Sequence, residues 1–145
     1  DVVGAGYPEQ HFEAANLSAD FKWLKHKIDA GADYIVTQMF FDNSKYFAFV
    51  ERCRAEGIDV PIIPGIKPLT SKKQVSVLAS RFHIDIPEAL AEAVDACRDD
   101  KAVRKVGIEW SIAQSKELMS KQAPCLHFYS MGKSAAISEI AKALY

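Results

Sequence analysis

The stretch Ala32-Asp33-Tyr34-Ile35-Val36-Thr37-Gln38-Met39-Phe40-Phe41-Asp42 decides the fold. It is almost continuously apolar, interrupted by the uncharged pair Thr37-Gln38 and closed by an acid. Preceded by Gly31 and followed by a helical pattern, such a run reads as a strand buried on both faces, as in a parallel sheet. Gln38 stands out within it. A long amide near the end of a buried strand must find buried partners or point at something that enters the site.

Outward from that strand, helices and strands alternate. Upstream, Val2 to Gly6 is strand-like and ends at Tyr7-Pro8-Glu9, because proline cannot donate to a ladder. Ser18 is a plausible N-cap for a helix over residues 19–30, with Phe21, Leu24 and Ile28 as its buried stripe and Asp20, Trp23, His26 and Lys27 on the other side. Downstream, Asn43 or Ser44 caps a helix reaching about Glu56, with Phe47, Val50 and Cys53 or Arg54 on successive turns and Gly57 as its C′ residue. Val60 to Ile63 is a short strand ended by Pro64-Gly65-Ile66-Lys67-Pro68, a segment read as turn chemistry.

A helix from Thr70 or Ser71 to Arg81 follows, carrying Val75, Leu78 and Phe82, and Pro87 opens another that reaches about Arg98. A longer helical pattern covers residues 100–122, Cys125 to Tyr129 is the last strand, and Ser134 to Leu144 closes as a helix. The order β-α-β-α-β-α-α-α-β-α predicts a parallel sheet. Four βα units make half of a closed eight-stranded barrel of about 250 residues, and a four-stranded open sheet is the competing topology.

At 145 residues and 49% hydrophobic content, with no repeats or linkers, the chain reads as one domain. A net charge of −1 from interspersed acids and bases points to neither nucleic acid nor a membrane surface. Cys53, Cys97 and Cys125 are scattered and form no C-x-x-C, which fits a reducing cytoplasm without a metal site. The chain begins at Asp1 inside an apolar run, without an initiator Met or a signal peptide, and reads as a piece of something longer.

In either topology the ligand meets the C-terminal ends of the strands. That rule gathers Tyr7, Pro8, Glu9 and His11, then Gln38, Phe40 and Asp42, then the loop 64–68, then Ser130 to Lys133. The rim is aromatic and amide-rich. It suits a large planar ligand held by stacking and hydrogen bonds better than a metal or an isolated phosphate.

These residues also carry a family resemblance. Gly6-Tyr7-Pro8-Glu9 with His11 and Glu13, Lys27 to Ala32, Thr37-Gln38 to Phe41-Asp42, Ile62 to Pro68 and His127-Phe128-Tyr129 resemble methylenetetrahydrofolate reductases, in order and spacing, over essentially the whole chain. The resemblance implies an α/β chain forming the second half of a flavin-bearing (β/α)8 TIM barrel, four parallel strands with flanking helices, from the fifth strand to the eighth helix. It implies reduction of 5,10-methylenetetrahydrofolate to 5-methyltetrahydrofolate, with FAD and NAD(P)H as cofactors.

By resemblance, Gln38 matches the strand-end glutamine that hydrogen-bonds the pterin, a role an amide suits because it both donates and accepts. Tyr7 matches a tyrosine lying against the flavin. Asp20, Trp23, His26 and Lys27 fall where the family's fifth helix meets the ribose and diphosphate of FAD; Trp23 and His26 depart from the polar residue and arginine often found there. Leu78 stands where some members place a phenylalanine against the aminobenzoate ring, and its spacing from Val75 equally suits a core residue. Lys133, in Met131-Gly132-Lys133, is a further candidate partner for the substrate or the flavin.

The family's general-acid glutamate and its flavin-side aspartate belong to the first half of the barrel. Residues 1–145 alone are therefore expected to be inactive, and either homo-oligomerisation or pairing with the missing half-barrel is expected. Two alternatives stay open: a different (β/α)8 flavoenzyme of the proline dehydrogenase kind, and a non-catalytic half-barrel whose unpaired edges bind or self-associate.

Overall fold

The computed structural model describes residues 3–6, 17–130 and 134–145, with side chains described at 6, 22–130 and 134–145. The elements are β1 Val3–Gly6, α1 Leu17–Asp29, β2 Tyr34–Met39, α2 Asn43–Ala55, β3 Ile62–Ile66, α3 Lys72–Arg81, α4 Glu88–Asp95, α5 Asp100–Ser120, β4 His127–Phe128 and α6 Ala135–Leu144. The alternation expected from the sequence is present in the expected order. The four strands form one sheet in the order β1-β2-β3-β4. All three pairings are parallel. Each strand lies beside its neighbours in sequence, so the order never reverses as it does in a doubly wound sheet.

One face of this sheet carries the core. Ile35, Ile62 and Ile66 are buried with Leu24 of α1, Tyr46, Phe49 and Cys53 of α2 and Leu118 of α5. A second cluster joins Met39, Phe41 and Leu69 at the strand ends to Leu78, Leu90, Val94 and Val103 of α3, α4 and α5. A third packs Ile108 of α5 on Ala136 and Ile140 of α6. The alternate residues Tyr34, Val36, Gln38 and Ile63 are only half-buried. They join none of these clusters, as a period of two requires when helices pack on a single face.

Several boundaries differ from the sequence reading, each for a local reason. α1 begins at Leu17, so Ser18 falls within the helix and not before it. Asp42 caps α2: its carboxylate accepts from the Ser44 N–H at 2.9 Å. The buried face of α2 includes Cys53, as expected, but Tyr46 and Phe49 take the places expected of Phe47 and Val50, which only border the core. Gly57 follows that helix at φ +82°, the left-handed conformation a C′ glycine supplies.

β3 begins later than predicted and runs through Pro64 and Gly65, so that segment is strand and not turn. The register shifts between Val36 and Met39, and the Gly65 N–H donates to the Thr37 hydroxyl at 2.9 Å in place of a ladder carbonyl. α4 stops at Asp95 with Pro87 at its cap position, β4 is cut to two residues, and Phe82 is exposed beyond α3. Among the described residues no helix is long and apolar enough to cross a membrane.

Candidate functional site

Gln38, Lys67 and Tyr129 lie at the C-terminal ends of three adjacent strands. Gln38 is half-buried near the end of β2, on the face opposite Ile35. Its Oε1 accepts from the Met39 N–H at 3.2 Å, and its Nε2 has no hydrogen-bond partner among the described residues. The amide is therefore half satisfied: its oxygen is bonded to backbone, and its nitrogen is without a partner among the described residues. The spare group is a donor.

Three strands are tied together beside it. The Tyr129 N–H extends the β3–β4 ladder to the Ile66 carbonyl at 2.9 Å. The Tyr129 hydroxyl donates to the Thr37 carbonyl at 2.7 Å. Its ring lies over Gly65: a Cβ there would stand 2.6 Å from Tyr129 Cε2 and 2.6 Å from the Thr37 carbonyl oxygen. The His127 ring meets the Tyr129 ring edge-on at 4.6 Å.

Lys67 follows β3 directly. It is 5% exposed, between Ile66 and Leu69, which are more deeply buried still. Burial pushes its amine below the ordinary lysine value. The loop that carries it is held tightly, because Gly107 of α5 packs on the Leu69 backbone so closely that a Cβ would collide with it.

The exit of β2 is fixed by α5 through a polar latch. Gln114 Nε2 donates to the Phe40 carbonyl and to Asn43 Oδ1, both at 3.1 Å. Asn43 Nδ2 donates to the Gln114 carbonyl at 3.1 Å and to Glu117 Oε1 at 2.8 Å. The Trp110 indole N–H donates to the Phe41 carbonyl at 2.9 Å. The chain leaving Gln38 therefore has little freedom.

The other expected site residues are distributed as follows. Trp23, His26 and Lys27 are exposed on α1; Trp23 is 66% exposed and meets the His26 ring edge-on at 5.9 Å. Asp20 lies on the same helix, with its side chain outside the described set. Tyr7, His11 and Lys133 fall outside the described residues. Leu78 is 3% exposed within the cluster of Met39, Phe41 and Leu69, the packing of a core residue. Lys67 and the Thr37–Gly65–Tyr129 tie were not singled out from sequence. For Lys67 a signal existed: one cation in the otherwise apolar run Ile62 to Leu69. Among the described residues no three His, Cys, Asp or Glu side chains are grouped to hold a metal ion.

The family model for methylenetetrahydrofolate reductase matches residues 1–145. This chain belongs to the methylenetetrahydrofolate reductase family. Among its relatives, the 5,10-methylenetetrahydrofolate reductase of Escherichia coli is 40% identical over 135 residues, covering 92% of this chain and 46% of that protein. A Caenorhabditis elegans protein named "Probable methylenetetrahydrofolate reductase (NADPH)" is 38% identical over 142 residues, covering 97% of this chain and 21% of that protein. Methylenetetrahydrofolate reductase (NADH) 1 of Arabidopsis thaliana is 38% identical over 140 residues, covering 90% and 24%.

The chain thus spans about half the length of its bacterial relatives and less of the eukaryotic ones. Among solved structures, a Clostridium thermocellum protein described as binding two copies of 5-methyl-5,6,7,8-tetrahydrofolic acid superposes with a TM-score of 0.66 at 22% identity, over 97% of this chain and 51% of that one. That likeness is one of fold.

Proposed function

We propose that residues 1–145 form the second half of a flavin-dependent (β/α)8 barrel that reduces 5,10-methylenetetrahydrofolate to 5-methyltetrahydrofolate with NAD(P)H. The observation that carries this reading is Gln38: an amide at the end of a central strand, on the face opposite the packed helices, with its NH2 unpartnered among the described residues. A pterin edge offers ring nitrogens and a carbonyl that such a donor can meet. The unreversed strand order suits a barrel half, and the half-buried face bearing Tyr34, Val36 and Ile63 suits a barrel interior that a first half would complete.

For the cofactor, Lys27 is an exposed cation able to neutralise a diphosphate, and Trp23 is a large apolar surface left uncovered on the same helix. Lys27 and Trp23 would hold an FAD together with Asp20 as an acceptor for ribose hydroxyls, His26 as a further phosphate contact and Tyr7 as a partner for the flavin ring. When bound, a flavin would supply the hydride chemistry that links NAD(P)H to the folate. Gln38 orients the pterin, Lys133 is a candidate second polar contact, and Leu78 shapes the wall behind the strand ends from within the core. The general acid comes from the first half. Relatives named for NADPH and for NADH both occur, so the nicotinamide is written NAD(P)H.

The test is steady-state kinetics on the complete barrel carrying Gln38→Leu. Folate reduction is expected to lose at least about tenfold in kcat/KM, the worth of one hydrogen bond to a bound ligand, about 1.4 kcal/mol. NAD(P)H oxidation by a quinone acceptor should stay unchanged. Folate reduction at the parent rate in the variant, or a purified parent with neither flavin absorbance nor folate reduction, sinks the reading.

A further inference from the structure

One polar side chain at the strand ends is left unused by this account. Lys67 is 5% exposed and makes no hydrogen bond or ion pair with the described residues. Most of the side chain is withdrawn from water without gaining a partner, which is costly, while the amine at its tip is not among the buried unpartnered atoms of the described residues and so keeps an opening through which a ligand can reach it.

Its direction follows from the ladder. Ile62 and Ile66 face the helices, so Ile63, Gly65 and Lys67 share the other face, and the bond from the Tyr129 N–H to the Ile66 carbonyl carries the strand geometry to this point. That is the face of Gln38. Pro68 and Leu69 are buried directly behind Lys67, and Gly107 presses on the Leu69 backbone, so the lysine sits on a rigid support.

We propose that Lys67 is a ligand-binding residue, its amine donating to a ring nitrogen or carbonyl oxygen of the planar heterocycle that Gln38 meets on the neighbouring strand. This rests on the folate reading above and deepens it. A ring acceptor fits better than the glutamyl carboxylates of a folate, which are flexible and solvated and would meet a surface lysine. A flat ring can reach the partly open amine at a strand end and satisfy it.

The experiment titrates 5-methyltetrahydrofolate into the complete reductase, comparing the parent, Lys67→Met and Lys67→Gln by calorimetry, with the thermal midpoint of each ligand-free protein alongside. Lys67→Met keeps the length and apolar stem. It is expected to weaken binding at least tenfold with a midpoint equal to or above the parent's. Lys67→Gln, which keeps an N–H donor, is expected to recover part of the affinity.

Binding of Lys67→Met within twofold of the parent overturns the proposal. So does a midpoint that falls in step with affinity in both variants, which would make Lys67 structural. Absence of 5-methyltetrahydrofolate binding in the parent overturns the folate reading itself and the role of Lys67 with it, an outcome distinct from a parent that binds and a variant that binds equally well.

Discussion

A lysine that loses water without gaining a partner makes the folded state favour the neutral amine. Lys67 is in that position, its pKa lowered by burial below the reference value of 10.5. The unfolded chain therefore binds more protons than the folded one in the window between the lowered value and 10.5, and this residue's contribution to stability rises with pH across that window. Below the window the cost of the buried charge is present in full. Lys67→Met should therefore raise the ligand-free midpoint most below that window, and the gain over the parent should shrink as pH rises through it toward 10.5. Thermal melts of both proteins across that range check it; a gain that grows with pH contradicts the burial argument. At this scale the sequence was readable where chemistry clashed with local pattern. Gln38 could be picked out because an amide in an apolar strand conflicts with its surroundings. The bond from Tyr129 to Thr37 could not, because it joins residues 92 positions apart and depends on a register no local pattern encodes.

Among the elements, α5 does more than cover the sheet. It approaches the β3–α3 loop through Gly107 and holds the exit of β2 through Gln114 and Trp110. Gly107→Ala puts a methyl group into the Leu69 main chain, which cannot rotate aside. A loss of about 3 kcal/mol, the upper end of overpacking costs, is expected in chemical denaturation; a variant as stable as the parent would show that α5 can slide. The helices were legible because periodicity and caps mark them, as at Gly57. β3 was misread because Pro64-Gly65 has the composition of a turn. The strand survives there because the Thr37 hydroxyl accepts from the Gly65 N–H and takes the place of a ladder partner. The polar face of α5 went unread for a related reason: Gln114 looks like a solvent residue until the corner after β2 is folded against it.

For the whole molecule, the sheet has helices on one face and two terminal strands. Residues 1–145 prepared alone should show no NAD(P)H-dependent folate reduction even with added FAD, because the proposed general acid lies in the other half of the barrel. A turnover assay on that piece is decisive, and measurable flavin-dependent activity would refute the half-barrel reading. The class and order of elements were legible from alternation alone. Which strands lie side by side was not, since strand adjacency is a property of the folded sheet.

The crowding at Gly65 constrains how this chain can change over generations. Two obstacles confront a side chain there, the ring of Tyr129 and the main-chain oxygen of Thr37. Trimming the tyrosine clears only the first, and no exchange of side chains moves a carbonyl. Position 65 is thus closed to second-site rescue: lineages that lose this glycine have no single compensating replacement at 129, and must rebuild the register of two strands to recover.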